Sequence, residues 1–359
     1  MSAKSAFRAA LHSAAKERIK EAQIQPSEYE YPGCLPYTPE EAASHRAIFD
    51  GDIERLLDDE YYLGSALYDK KARKSKLWPK VKQDLLDLFV DKRYEPINFA
   101  VFIEGIGSGK SRTASVITWL LWFDLTTLSA GGPIEYYSVV DGSYTALLCM
   151  SRTAAQARKI TFDYVWPFFE CPFNREYFPP DPSVRSEIRI DRNKTIIFPG
   201  TANAMSALGY NCFGGTIDEA NFLDSVMSST RADEGGEYDA AEAMYNAIWQ
   251  RMTSRFMEED GRVRGLITMI SSTRYADDFL ERQANLKKDP TTGASIFVRR
   301  RDTWDAKPTL QGNKGWVYYD TETLEILEPD DSRILEFEAA EHRGELNEYG
   351  GYDASTKAA

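Results

Sequence analysis

Apolar and polar positions change their period several times along this chain, and the changes mark its elements. Residues 2–23 and 38–57 carry apolar side chains at helical spacing, with a Tyr/Pro-rich link at 29–37 between them. An apolar run at 98–104 gives way to helical spacing over 110–125, a strand-like run at 144–150 and a further helical segment over 153–169. Such alternation predicts a mostly parallel sheet, because parallel strands need a helix-length crossover between them. Residues 187–198, EIRIDRNKTIIF, alternate on either side of a polar turn at 191–194 and read as a β-hairpin. Two more strands are expected at 215–219 and 264–273, separated by a helix over 238–257. The stretch 224–237, rich in Ser, Asp and Gly, reads as a mobile loop; a strand near 295–303 and a hairpin at 316–328 complete the pattern. No internal repeat is visible.

At 359 residues, 43% hydrophobic and 28% charged, the chain has the composition of an ordinary globular protein with one large domain or two modest ones. Cys34, Cys149, Cys171 and Cys212 form no CxxC pair, and His12, His45 and His342 have no second ligand at metal spacing, so a zinc site is not expected and a reducing compartment fits. The most apolar stretch, 116–123, stops at Asp124 and is too short to span a bilayer. The first twenty residues contain no apolar signal region, so a cytoplasmic location is expected. Net charge is −13, which argues against a surface that is basic throughout. A nucleic acid would have to meet a local patch, and the run Lys70, Lys71, Arg73, Lys74, Lys76, Lys80 and Lys82 offers one. A solvated face carrying no ligand is the other reading of that run.

The sharpest local signal is Glu104-Gly105-Ile106-Gly107-Ser108-Gly109-Lys110-Ser111, placed after the run NFAVFIE and before a helical segment. In a phosphate loop of this type the glycines let backbone amides turn inward around a β-phosphate. A lysine supplies charge to the β and γ oxygens, and a hydroxyl binds Mg2+. Gly105, Gly107, Ser108, Gly109, Lys110, Ser111 and the adjoining Arg112 are therefore candidate nucleotide-binding residues, with Ser111 also a candidate Mg2+ ligand. The N-terminus of the following helix adds a favourable dipole. Glu104 stands where G-x-x-x-x-G-K-[ST] has its first glycine.

Thr216-Ile217-Asp218-Glu219-Ala220 reads as a strand ending in two carboxylates. Asp218 would hold Mg2+ through water and Glu219 would polarise an attacking water, a pairing suited to a hydrolase rather than to a kinase. An adjacent Asp-Glu pair is usually solvated surface, and this one gains weight by following a phosphate loop. The preceding Cys212-Phe213-Gly214-Gly215 is less apolar than a buried strand usually is. A third run, RGLITMISST, ends in three hydroxyl residues, of which Thr273 could report the loss of a γ-phosphate; a strand that simply ends in a turn is the alternative.

The order of phosphate loop, strand, Asp-Glu strand and Ser-Ser-Thr strand resembles the ATPase domain of the large terminase subunit of tailed bacteriophages. Further matches are MSRTAAQARKITFDYVWPFF, IDEANF, RMTSRF and SSTRYADDF, and together they cover roughly 78–279. The resemblance implies an α/β P-loop NTPase fold of the additional-strand catalytic-glutamate type, with a mostly parallel sheet and helices on both faces. That core would occupy 93–290, between a helical N-terminal extension at 1–92 and a lid or linker subdomain at 291–359. It assigns Glu219, Lys110 and Thr273 to catalysis. Leu77-Trp78-Pro79 and Gln83 resemble a segment that contacts adenine, with core packing of Trp78 as the alternative. Terminases often place an arginine in the loop, where this chain has Ile106, and Arg-Gly before the Asp-Glu strand, where it has Ala207-Leu208-Gly209. The arginine finger is therefore open among Arg152, Arg158, Arg251 and Arg255, the last two sharing a helix face. Complete large terminases also carry an RNase H-like nuclease. Too few residues follow Thr273 for a domain of roughly 100 residues, so the nuclease is not expected in this chain.

The function so implied is MgATP hydrolysis coupled to translocation of double-stranded viral DNA into a procapsid. The implied partners are duplex DNA, met by Lys70, Lys71, Arg73 and Lys74, a portal protein, the small terminase subunit and further copies of the chain in a ring. A monomer in isolation stays open, and no membrane is involved. The implied location is the host cytoplasm, transiently at the procapsid portal. The residues alone support nucleotide hydrolysis; a helicase-type P-loop ATPase, a kinase and a nucleotide-binding assembly protein without turnover remain alternatives.

Overall fold

The computed structural model describes residues 31–71, 73–105, 107–139, 143–201, 210–223, 226–227, 237–238, 240–272, 278–286, 288 and 293–302. The chain divides into two compact units, Met1–Lys307 and Pro308–Ala359, and the described residues belong to the first. The helix expected at 2–23, the hairpin at 316–328, Ile106, Ala207-Leu208-Gly209, Thr273 and the lid segment from 303 onward lie outside the described residues.

Helix α1 (Pro39–Gly51) begins at Thr38, whose side chain accepts from the Glu41 amide, with Pro39 at the first position, where its missing N–H does no harm. Asp52 caps α2 (Ile53–Asp58) in the same way. The short α3 (Gly64–Leu67) leads into a hairpin of β1 (Tyr68–Asp69) and β2 (Lys74–Ser75), then α4 (Pro79–Tyr94). Next come β3 (Ile97–Glu104), α5 (Lys110–Thr126), α6 (Gly132–Tyr137) and β4 (Thr145–Ser151). The helix expected over 153–169 is not continuous. A capping box between Thr153 and Gln156 starts α7 (Ala154–Lys159), which widens into a π turn at Ile160–Val165 and tightens into a 3-10 turn at Trp166–Glu170. Pro167 lacks the N–H that an α-helical ladder would need there.

After α8 (Pro172–Tyr177), β5 (Ile188–Ile190) and β6 (Thr195–Thr201) form the expected hairpin. Strand β7 (Asn211–Asp218) is followed by a 3-10 turn at Ala220–Phe222. Within the stretch read as a loop, β8 (Val226–Met227) pairs antiparallel with β9 (Glu237–Tyr238). Helix α9 (Ala240–Arg255), β10 (Ile267–Ser271), α10 (Phe279–Ala284) and β11 (Ser295–Arg301) complete the described elements.

Seven strands form one sheet in the order β11-β3-β10-β7-β4-β6-β5, parallel throughout except for β5 at one edge. Strand β10 therefore lies between the strand that precedes the phosphate loop and the strand that ends in Asp218. This insertion defines the additional-strand class. Side chains of β3 alternate between two cores: Ala100 and Phe102 pack on one face, Phe99, Val101 and Ile103 on the other. The second face is covered by α9 and α10 through Met244, Tyr245, Ile248, Met252, Phe279 and Leu280.

On the first face lies α5, which is buried along nearly its whole length. A helix apolar on all sides must be covered on all sides. The sheet covers one side, and α1 and α4 cover the other. Tyr37, Phe49, Leu85 and Phe89 thus share one core with Phe102, Trp119 and Trp122, across the boundary drawn at 92. The buried Asp124 of α5 is paired with Arg46 of α1 at 2.5 Å, so an otherwise costly carboxylate anchors the extension to the core. The indoles of Trp119 and Trp122 donate to Asn174 and Thr195, which lets both rings be fully buried.

Strand β11 lies beyond the boundary drawn at 290, yet it pairs with β3 over its full length. It belongs to the sheet rather than to a lid. The weak apolarity of β7 also has a reason. A Cβ on Gly214 would stand 2.3 Å from the Leu266 carbonyl oxygen, and the Gly215 amide donates to that same oxygen at 3.0 Å. Only glycine allows the chains to approach this closely.

Candidate nucleotide site

In a parallel sheet the carboxyl ends of neighbouring strands lie side by side, and ligands bind beyond them. Here β3, β10 and β7 are adjacent, with Ile103 opposite Ser271 and Ile270 opposite Asp218. Residues far apart in sequence are thereby gathered at one edge.

The loop leaving β3 has Gly107 at φ 77° and Gly109 at φ 103°, backbone that favours glycine, and α5 starts directly at Lys110. Glu104 is the last residue of β3 and has no positive φ, so its position does not require the glycine of the standard motif. The Lys110 ammonium donates to Ser272 Oγ at 2.8 Å and to the carbonyls of Gly105 at 3.3 Å and Glu104 at 3.5 Å. Ser111 Oγ donates to Asp218 Oδ2 at 3.1 Å. Burial, and then the neighbouring Glu219 carboxylate, push Asp218 up to about 6. A carboxylate so disfavoured by its surroundings gains from a cation. The hydroxyl of Ser111 and the carboxylate of Asp218 are hard oxygen donors of the kind Mg2+ takes.

Glu219 follows in left-handed backbone, φ 57° and ψ 39°, with its amide donating to Asp218 Oδ1 at 3.1 Å. For a non-glycine residue this costs on the order of 1 kcal/mol, the kind of strain that clusters at functional sites. The turn after it is fastened to β10: the Asn221 amide donates to Ser271 Oγ, and Asn221 Nδ2 to the Ser272 carbonyl, both at 3.1 Å. Sequence reading singles out Thr273 in this run and passes over Ser272 and Asn221. Both lie inside the motifs IDEANF and SSTRYADDF, but their partners are distant in the chain.

Trp78, half buried against the core, also flanks the loop: its Cδ1 would be 3.7 Å from a Cβ placed on Gly109. Gln83 is exposed and donates its amide to Asp87 at 2.8 Å. The Arg112 guanidinium stacks over Tyr164 and Phe168, 5.3 and 5.9 Å from the ring centroids. Arg152 is exposed just past the carboxyl end of β4, on the site edge of the sheet. Arg158, exposed on α7, donates to the Arg185 carbonyl at 2.9 Å. Arg251 and Arg255 sit near the end of α9, where the next residue, Phe256, meets Phe213 near the amino end of β7 at 5.4 Å. The fold sends them to the opposite edge of the sheet from Asp218, because α9 runs back antiparallel to the strands it connects. They could reach a nucleotide only in another copy of the chain.

The basic run does not sit on one element, since Lys80 and Lys82 lie on α4. Lys70, Lys71, Arg73 and Lys74 are exposed on the β1–β2 hairpin. Lys82 is paired with Glu54 at 2.5 Å and Asp58 at 2.8 Å, and Lys76 donates to the Ala66 carbonyl. No helix among the described residues is long and apolar enough to cross a membrane.

A family described as the N-terminal P-loop domain of the uncharacterized protein MJ0330 matches residues 52–324. Comparison with curated proteins gave no match. Among solved structures, the large terminase ATPase domain of Thermus phage P74-26 aligns over 59% of this chain and 79% of its own, at 15% identity and a TM-score of 0.35. The large terminase of bacteriophage HK97 aligns over 71% of this chain and 43% of its own, at 15% identity and a TM-score of 0.44. The fold rests on strand order and the family match. That match spans the whole seven-stranded sheet and the site at its edge, so this chain belongs to the family of the MJ0330 N-terminal P-loop domain, a fold of the nucleoside-triphosphatase class.

Proposed function

We propose that this chain is an ATP-hydrolysing motor subunit that translocates double-stranded DNA, of the kind that packages viral genomes. The observation that carries the enzymatic part is the convergence of Lys110, Ser111, Asp218 and Ser272 at the carboxyl ends of three adjacent strands. Lys110 neutralises β and γ oxygens, and the amides around Gly107 to Gly109 cradle the phosphates. Ser111 and Asp218 would hold Mg2+, which when bound withdraws charge from the β and γ oxygens. Glu219 accepts a proton from the attacking water, and Ser272, already bonded to Lys110, ties the phosphate end of the site to β10.

The DNA-translocating part rests on less. The motif set around IDEANF and SSTRYADDF resembles that of terminases, and four exposed cations are carried on the β1–β2 hairpin, suited to a phosphate backbone. Assembly as a ring, docking on a portal, a small terminase subunit as partner and a host-cytoplasmic location belong to the same proposal. In a ring, a neighbour's Arg251 or Arg255 is available as the finger that the loop itself lacks.

The test is phosphate release with and without duplex DNA, for the wild type and Lys110→Ala. ATP turnover that Lys110→Ala reduces by about 100-fold or more is expected, with duplex raising the wild-type rate several-fold. Equal rates with and without duplex overturn the DNA reading and leave hydrolysis standing. Absence of turnover overturns both, and transfer of phosphate to a small acceptor would make the chain a kinase.

A further inference from the structure

Strand β11 does more than close the edge of the sheet. Its last residue, Arg301, is buried and pairs in register with Glu104, the last residue of β3. The Gly105 amide, the first of the phosphate loop, donates to the Arg301 carbonyl at 2.9 Å. The Arg301 guanidinium contacts the Asp84 carboxylate of α4 and stands 3.5 Å from Glu104 Oε1. Arg299, two residues earlier, joins Asp84 and Asp87 at 3.2 and 3.0 Å. Helix α4 and strand β11 are thus locked together behind the loop.

Glu104 itself is 1% exposed. Its Oε2 accepts a hydrogen bond from Ser108 Oγ, also fully buried, at 2.7 Å, so the bond ties the end of β3 to Ser108 in the loop. Burial pushes this carboxyl up to about 7, against the lowering effect of Ser108 and Lys110. A carboxyl so placed is destabilising unless something holds it, and the extended backbone at 104 would accommodate a glycine without it. A loop with glycines at two left-handed positions is also costly to order, and whatever orders it in advance reduces the cost of binding.

We propose that Glu104 is a positioning residue of the phosphate loop: it fixes Ser108 from beneath, so that the amides of 107–109 are set before the triphosphate arrives, while Arg301 and Asp84 hold Glu104 in place. This rests on the loop being a nucleotide site. Glu104 touches neither nucleotide nor metal in this role and acts through Ser108. Strand β11 thereby becomes part of the site.

The experiment measures kcat and KM for ATP in the full chain, for the wild type, Lys110→Ala, Glu104→Ala, Glu104→Gln, Ser108→Ala and the Glu104→Ala/Ser108→Ala double variant. Glu104→Ala and Ser108→Ala each raise KM about tenfold with kcat within about threefold, and the double variant is no worse than either single one, because both remove the same bond. Glu104→Gln, whose amide oxygen accepts the same hydrogen bond, restores KM to within about twofold of the wild type. Unchanged KM in Ser108→Ala, multiplicative effects in the double variant, or a Gln variant as weak as Ala overturns the proposal. Should Glu104→Ala fail to fold, Ser108→Ala and Glu104→Gln still decide it. Loss in Lys110→Ala with none in these variants sinks the positioning role alone, whereas a wild type that neither binds nor hydrolyses ATP sinks the nucleotide reading beneath it.

Discussion

Ser111 Oγ donates to Asp218 Oδ2 at 3.1 Å across 107 residues of chain. One residue lies in the first turn of the helix after the phosphate loop; the other ends a strand two places away in the sheet. Their hydroxyl and carboxylate together offer Mg2+ two hard oxygen donors, and Glu219 follows immediately on a turn in left-handed backbone.

Glu219→Gln is expected to lower kcat by at least about 100-fold while ATP still binds, since the amide keeps the shape and loses the base. Asp218→Asn is expected instead to weaken Mg2+-dependent nucleotide binding. Paired turnover and fluorescent-nucleotide titrations read the difference. Unchanged turnover in Glu219→Gln would move the base elsewhere.

Ser272→Ala removes the 2.8 Å hydrogen bond from the Lys110 ammonium. The expected loss is about tenfold in kcat, roughly 1.4 kcal/mol of transition-state stabilisation, with little change in melting temperature. If Thr273→Ala is impaired and Ser272→Ala is not, then Thr273, the residue that the sequence alone favours, is the coupling residue.

Replacing Lys70, Lys71, Arg73 and Lys74 together by alanine should weaken duplex binding at every sequence and flatten its dependence on salt. Each phosphate that is no longer neutralised changes the slope of log K against log salt by about 0.9. ATP turnover without DNA should be retained, because the hairpin contributes no residue to the nucleotide site. An unaltered salt slope would mean that these four cations are merely a solvated surface.

His45 is enclosed by Tyr37, Tyr62, Phe123, Phe173 and Tyr177, and burial lowers its pKa to about 4. Between pH 4 and 6.5 the unfolded chain therefore binds a proton at His45 that the folded chain does not. The stability associated with the neutral ring is complete above about pH 6.5 and is lost as pH falls towards 4, by roughly 3 kcal/mol at most. His45→Phe should gain about 2 to 3 kcal/mol relative to the wild type on going from pH 7 to 4.5, read by denaturant titration at both values. Parallel losses in the two proteins would acquit this histidine.

Much of the fold was legible because it is written locally. The glycines and Lys110 of the phosphate loop act through backbone a few residues away, the apolar runs mark β3, β4 and β10, and the polar turn at 191–194 announces the β5–β6 hairpin. Where the local pattern was less telling, the cause was distant. The glycines of β7 looked too polar for a buried strand, because the Leu266 backbone that packs on them arrives from elsewhere. Arg251 and Arg255 share a helix face, but only the direction of α9 shows that they lie at the far edge of the sheet from Asp218, where a neighbouring copy would have to use them.

By itself, then, the sequence determined that a phosphate loop follows a strand and opens a helix, and that a carboxylate pair ends another strand, since spacing along the chain sets both. Tertiary structure alone decided that β10 enters between β3 and β7, bringing Ser272 to Lys110 from 162 residues away, and that β11 sets Arg301 behind Glu104. Strand order is chosen by which faces pack best and how the crossovers run, and no local pattern of side chains encodes it.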